Sequence, residues 1–121
     1  MYSLIKLLRN IGLSEKEAVT YCIALKIGPN PASIIAKHSK LNRGTAYSIL
    51  EALIKKGLIS QVEKNKTKYF TAIEPNQLIN YINEKKHDLM QYKDEIIDFL
   101  PECEALKHQS QISPRLKSYS G

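Results

Sequence analysis

A mainly α chain with one small β-hairpin is what this sequence predicts, and three observations carry the prediction. Residues 31–57 give two short amphipathic helices separated by the polar turn Ser39-Lys40-Leu41. Two β-rich runs, Leu58–Val62 and Tyr69–Ile73, follow at once and flank the polar turn Lys64-Asn65-Lys66-Thr67. From Leu78 onward, apolar residues recur at alternating intervals of four and three. Together these describe a winged helix-turn-helix over residues 1–75, a coiled-coil dimerisation helix over 76–108 and a flexible polar tail over 109–121.

The first helix spans Met1–Arg9, with Leu4, Ile5, Leu7 and Leu8, and ends near Gly12. Ser14-Glu15-Lys16-Glu17 spells a capping box, in which the Ser14 hydroxyl accepts from the Glu17 amide and the Glu17 carboxylate reaches back. The helix it opens runs to about Lys26, with Ala18, Tyr21, Cys22 and Leu25 on one face and Gly28-Pro29 as its left-handed stop. Asn30 is expected to cap the next helix, and Pro31 fits its first turn because no N–H is needed there. Ile34, Ile35 and Ala36 should fill its inner side, ending near His38. Asn42 caps the following helix, where Ala46, Ile49, Leu50 and Leu53 share a face at about 100° per residue. The opposite face shows Gly44, Ser48, Glu51 and Lys55, with Tyr47 at its margin, and Gly57 ends the helix.

Glu74-Pro75-Asn76 breaks the chain before the repeat Leu78, Ile82, Lys85, Leu89, Tyr92, Ile96, Phe99, Cys103 and Leu106, apolar at every position but Lys85. A helix folded onto its own domain would show a similar stripe. Four heptads exceed what a domain of about 75 residues needs, so the seam from Leu78 to Phe99 is read as a homodimer interface. Pro101 lies outside the seam and is expected to kink or end the helix nearby. In the tail, Ile112, Leu116 and Tyr119 would start a strand with nothing to pair with it.

Composition narrows the class. The apolar fraction of 43% is that of a folded protein, and no apolar run reaches the length of a membrane span. The short apolar run in Met1–Asn10 lacks a cleavage pattern, so a cytoplasmic protein with no membrane partner is expected. Cys22 and Cys103 form no C-x-x-C pair and read as reduced thiols packed as small apolar groups, while His38, His87 and His108 have no ligand spacing. No metal and no cofactor are therefore expected. Residues 1–75 carry 12 Lys/Arg against 5 Asp/Glu, whereas residues 76–121 carry 6 against 7. The basic charge belongs to the winged half, which favours a polyanionic partner for that half.

That partner is double-stranded DNA if the second helix of the pair enters a major groove, where residues near the helix start reach base edges. Those residues are Asn42, Arg43, Gly44, Thr45, Tyr47 and Ser48. Arg43 has the fork to grip guanine O6 and N7, and equally to clamp a phosphate. Gly44 lets the helix backbone approach closely, and Thr45 and Ser48 offer hydroxyls. Tyr47 has three readings: a phosphate contact, a thymine-methyl contact, or packing against the preceding helix. Lys64, Lys66 and Lys68 on the wing, with Ser33, Lys37, Lys40 and Lys55, are candidates for backbone contacts, which position the protein without reading sequence.

Several segments resemble TrmB-like transcriptional regulators. They are Ile11-Gly12-Leu13-Ser14-Glu15-Lys16-Glu17-Ala18, Tyr21, Ala24-Leu25-Lys26-Ile27-Gly28, Leu41-Asn42-Arg43-Gly44-Thr45-Ala46-Tyr47-Ser48-Ile49-Leu50, Lys56-Gly57-Leu58-Ile59 and the wing through Glu74-Pro75. The resemblance covers about residues 4–106. It implies an archaeal regulator that binds DNA as a dimer, with a coiled-coil helix after the wing. Many members continue into a domain that senses a sugar or other small molecule, of which Ser113–Gly121 resembles the first segment, so no effector site is expected within these residues.

The leading reading is a regulator that binds operator DNA as a homodimer and acts by promoter occlusion. The other is a winged-helix protein-interaction module without sequence-specific DNA binding, since fold does not fix function. An enzyme is not expected: there is no Gly-rich phosphate loop, H-E-x-x-H or nucleophile motif, and Glu15 and Glu17 are explained by capping.

Overall fold

The computed structural model describes residues 1–112, with side chains through residue 109. Its elements are α1 (Tyr2–Asn10), α2 (Glu15–Ile27), α3 (Ala32–Ser39), α4 (Arg43–Lys55), β1 (Ile59–Lys64), β2 (Thr67–Ala72) and α5 (Gln77–Ile112). The predicted class, mainly α with a small hairpin, is the observed one. Two compact units divide the chain, one over Met1–Ile82 and one from Asn83 onward.

The first unit is built around α2. Ala18, Tyr21 and Ala24 are fully buried and Cys22 nearly so, among Leu8, Ile35, Leu50, Leu53, Leu58 and Phe70. Helices α1, α3 and α4 and strand β2 all pack on α2, so more than one of its faces is covered. That is why the expected single stripe is wrong at one position: Leu25 is exposed and Ala24 takes the buried place. In α3 the inner side is Ala32, Ile35 and Ala36, a helical i, i+3, i+4 set, and Ile34 falls one step outside it.

Capping follows the sequence at two helices and departs from it at a third. Ser14 Oγ accepts from the Glu17 amide at 3.1 Å, and Glu17 Oε1 accepts from the Ser14 amide at 2.8 Å. Asn42 Oδ1 accepts from the Thr45 amide at 2.8 Å. Asn30 does not cap α3; Pro31 holds that position. A residue before proline is biased toward extended backbone, and Asn30 uses that conformation to bridge Phe70, with N–H···O distances of 3.2 and 2.9 Å. Its side-chain amide donates backward to the carbonyls of Ile27 and Gly28, both at 3.2 Å, closing α2 instead. Gly28 stops α2 at φ 77°, ψ −167°, a combination essentially confined to glycine and different from the left-handed helical stop expected.

Both strands reach further toward the tip than predicted. Asn65 and Lys66 take φ of 52° and 65°, the signature of a two-residue primed turn. Glu63 therefore pairs with Lys68, and Lys64 with Thr67. The hairpin base is fixed by the Ile73 amide donating to the Leu58 carbonyl, and by the Tyr21 hydroxyl donating to the Ile73 carbonyl at 3.1 Å.

The start of α5 belongs to the first unit. Tyr81 is buried in its core and Leu78 packs against that core, beyond the boundary expected at residue 75. Leu78 is thus engaged inside the unit, while Ile82, Lys85, Leu89, Tyr92, Ile96 and Phe99 are exposed. Pro101 does not end α5. Helix formers flank it on both sides, and one absent N–H does not outweigh them. The helix also continues past residue 108 to Ile112, since no breaker intervenes before Pro114. The tail from residue 113, including the strand considered at Leu116 and Tyr119, lies outside the described residues. Cys22 is buried, where its thiol is pushed above its ordinary pKa chiefly by burial. Cys103 is exposed, contrary to the expectation of a packed thiol.

Candidate nucleic-acid interface

The start of α4 stands clear of the core. Asn42, Arg43, Gly44 and Ser48 are exposed, and Thr45 and Tyr47 are half-buried. The oxygen of Asn42 is committed to its cap, leaving its side-chain N–H groups for another partner. A Cβ added at Gly44 would meet only Asn42 Oδ1, at an ordinary 3.6 Å. Nothing in the fold therefore requires glycine there, although glycine inside a helix costs about 0.5–1 kcal/mol relative to alanine. The turn before α4 is held by Lys40, the C-cap of α3, in a left-handed conformation at φ 59°. The Leu41 amide donates across it to the Ala36 carbonyl.

The hairpin is docked on α4 through Tyr47. The Tyr47 ring meets Phe70 edge-on, with centroids 5.9 Å apart and an interplanar angle of 81°. Lys68 Nζ donates to the Tyr47 hydroxyl at 3.2 Å and lies 5.9 Å from the ring centroid, so the hydroxyl contact describes it better than a cation over the ring face. This hydrogen bond is the chief reason the ammonium is held above the ordinary lysine pKa, with Tyr47, Glu63 and Glu51 adding to it electrostatically. Of the three readings of Tyr47, none named the wing, which is where the ring packs.

A groove of about 300 Å³ lies between α3, α4 and the hairpin, lined among others by Ser33, Arg43, Tyr47, Glu63, Lys66 and Lys68. It gathers residues from three elements that sequence reasoning had grouped only by charge. Lys64 is not among them. Strand alternation turns it to the other face of the hairpin, with Val62, Tyr69 and Thr71. Lys55 is exposed at the far end of α4, about 18 Å along the axis from Arg43. Lys37 and Lys40 are exposed at the end of α3. Two members of the site were missed: Phe70, which supports Tyr47, and Glu63, a carboxylate facing the groove opposite Lys68. A register count outward from Asn65-Lys66 would have found both.

Away from the groove, one ion pair is structural. Lys56 Nζ bonds both Glu17 oxygens, at 2.8 and 2.9 Å, tying the start of α2 to the end of α4. Burial pushes the Glu17 carboxyl up, but Lys56 and the Ser14 amide and hydroxyl together hold it below its ordinary value. Among the described residues, no group of three His, Cys, Asp or Glu side chains gathers as a metal site, and no helix is long and apolar enough to cross a membrane.

A capped helix presented beside a lysine-bearing hairpin, both set on a three-helix core, defines a winged helix-turn-helix protein. Residues 8–76 match the family described as sugar-specific transcriptional regulator TrmB, and the chain belongs to that family of transcriptional regulators. It is similar to the HTH-type sugar sensing transcriptional regulator TrmBL1 of Pyrococcus furiosus, with 27% identity over 77 residues, covering 64% of this chain and 22% of that protein. Among solved structures it resembles TrmBL2, described as an archaeal chromatin protein with a novel mode of DNA binding. There the TM-score is 0.66 at 22% identity, over 97% of this chain and 44% of that one. A MarR family protein from Bacillus stearothermophilus shares the fold at a TM-score of 0.53 and 18% identity, over 89% of this chain and 81% of that one. The chain thus spans 22% of the length of TrmBL1 and 44% of the TrmBL2 chain.

Proposed function

We propose that this protein binds operator DNA as a homodimer in the cytoplasm of an archaeal cell, and that it regulates transcription by occluding a promoter. The start of α4 enters the major groove. Arg43 and Ser48 face base edges, with Asn42 and Thr45 beside them, and Gly44 leaves room for the duplex. Ser33, Lys37, Lys40, Lys66 and Lys68 hold the flanking phosphates. Tyr47 keeps the wing at its working distance from α4, and Lys55 and Lys64 add to the attracting field.

The observation that carries this reading is the convergence of Arg43, Lys66 and Lys68 on one groove beside a helical glycine that the fold does not require. Membership of a regulator family and the DNA binding ascribed to TrmBL2 support it. Selection of bound duplexes from a random pool, repeated at two salt concentrations, tests it. A recovered palindrome is expected, with half-sites about one helical turn apart or a multiple of that. Eight to ten phosphate contacts per dimer would give a log–log salt slope of roughly −7 to −9. Recovery of no common sequence, together with a slope near zero, would leave the protein-interaction module as the better account.

A further inference from the structure

In α5 the a positions of the heptad are Ile82, Leu89, Ile96 and Cys103, and the d positions are Lys85, Tyr92, Phe99 and Leu106. All eight are exposed along the helix. The flanks of this seam divide by sign. The g positions are Asp88, Glu95 and Glu102; the e positions are Lys86, Lys93, Leu100 and Lys107. Neither registry nor orientation follows from the apolar seam alone, but both follow from its flanks.

We infer that α5 pairs with the α5 of a second copy in parallel and in register. The inference rests on the homodimer reading above and adds orientation to it. In a parallel pair each g residue meets the e residue five positions later on its partner. Asp88 then meets Lys93 of the other copy, and Glu102 meets Lys107, each twice by symmetry. In an antiparallel pair g meets g and e meets e, which sets carboxylates against carboxylates and lysines against lysines. The polar layer points the same way. Parallel pairing puts the two Lys85 side chains in one layer at the end of the seam, whereas antiparallel pairing would break two separate apolar layers. Pro101 falls at an f position, on the side away from the seam, so its ring and its missing N–H leave the interface intact. Leu100 widens the apolar face at its edge.

Cys103 gives the test. In a parallel, in-register pair the two Cys103 residues face one another, within reach of the roughly 4.4–6.8 Å Cα separation that a disulfide requires. In an antiparallel pair centred on residues 82–106 they lie roughly 27 Å apart. The full chain is sedimented and then treated with diamide, an azo oxidant that takes up the two protons and two electrons released as two thiols become a disulfide. A two-chain species that diamide converts to a covalent dimer, and that Cys103→Ser keeps non-covalent, is the expected result. A two-chain species without that bond overturns the parallel arrangement alone. A monomer, or an assembly larger than two chains, overturns the homodimer reading as well. Lys93→Glu supplies a second measurement that separates the two arrangements. It sets a new carboxylate against Asp88 in a parallel pair and should raise the dissociation constant about tenfold, with Asp88→Lys restoring it. In the antiparallel pair centred on residues 82–106, Lys93 faces the same residue of the other copy, so the change only replaces lysine–lysine by glutamate–glutamate repulsion and leaves the dissociation constant nearly unchanged.

Discussion

At the scale of single residues, the two ends of α4 do different work. Arg43 is exposed at the first turn and shares its groove with Lys66 and Lys68. Arg43→Ala should lower operator affinity by about 1–3 kcal/mol and relax base preference at one position, if its fork grips guanine. Binding measured across single-base operator variants checks this, and a uniform loss would assign Arg43 to a phosphate. Gly44→Ala should move stability and binding in opposite directions. The added methyl has room in the free protein, so the melting temperature should rise by the equivalent of about 0.5–1 kcal/mol, while the operator is bound more weakly. Beyond the other end, Lys56 grips Glu17. Because the Glu17 carboxyl is held below its ordinary value of 4.5, its contribution is complete above that pH and fades as pH falls through the lower folded value. A melting curve should therefore lose stability on acidification below pH 4.5, and Glu17→Gln should be less stable at pH 7 and flatter through that range.

At the scale of elements, the hairpin's attachment decides whether the site exists. Phe70 is held by the Asn30 bridge behind it and by the Tyr47 edge beside it. Phe70→Ala should cost about 3–5 kcal/mol, as for a fully buried aromatic, read by denaturant unfolding. Tyr47→Phe keeps the ring and removes the exposed hydroxyl contact, so stability should change by less than about 0.5 kcal/mol. Much of this architecture was legible in the sequence because its signals are local. The Ser14–Glu17 box and the Asn42 cap each operate within three residues, and each fixed a helix start. Long-range contacts were not legible. Nothing local links Glu17 to Lys56, 39 residues away, and nothing before Pro31 announces that Asn30 pairs with Phe70. Leu25 and Ile34 were misplaced because a stripe read on an isolated helix ignores how many neighbours cover it. Lys64 was grouped with Lys66 and Lys68 by proximity in sequence, and the pleat separated them.

At the scale of the whole molecule, the question is how one winged unit becomes two. The exposed part of α5 carries Leu89, Ile96 and Phe99, which are 66, 60 and 58% exposed. Apolar side chains of this size, repeated along one stripe, are what the proposed homodimer would bury. Leu89→Asp should put a carboxylate into the middle of that stripe and convert the proposed dimer to monomer in a sedimentation experiment. The first unit should keep its melting temperature, because its core ends at Tyr81 and the unit itself at Ile82, short of residue 89. A monomer carries half the phosphate contacts, so its salt slope should fall from roughly −7 to −9 toward about −4. It addresses one half-site at a time, so the preference for a palindrome over a single half-site should vanish. A variant that stays dimeric while binding normally would remove the seam as the principal interface. A variant that becomes monomeric yet keeps the full slope and the palindrome preference would locate DNA-linked pairing within residues 1–82.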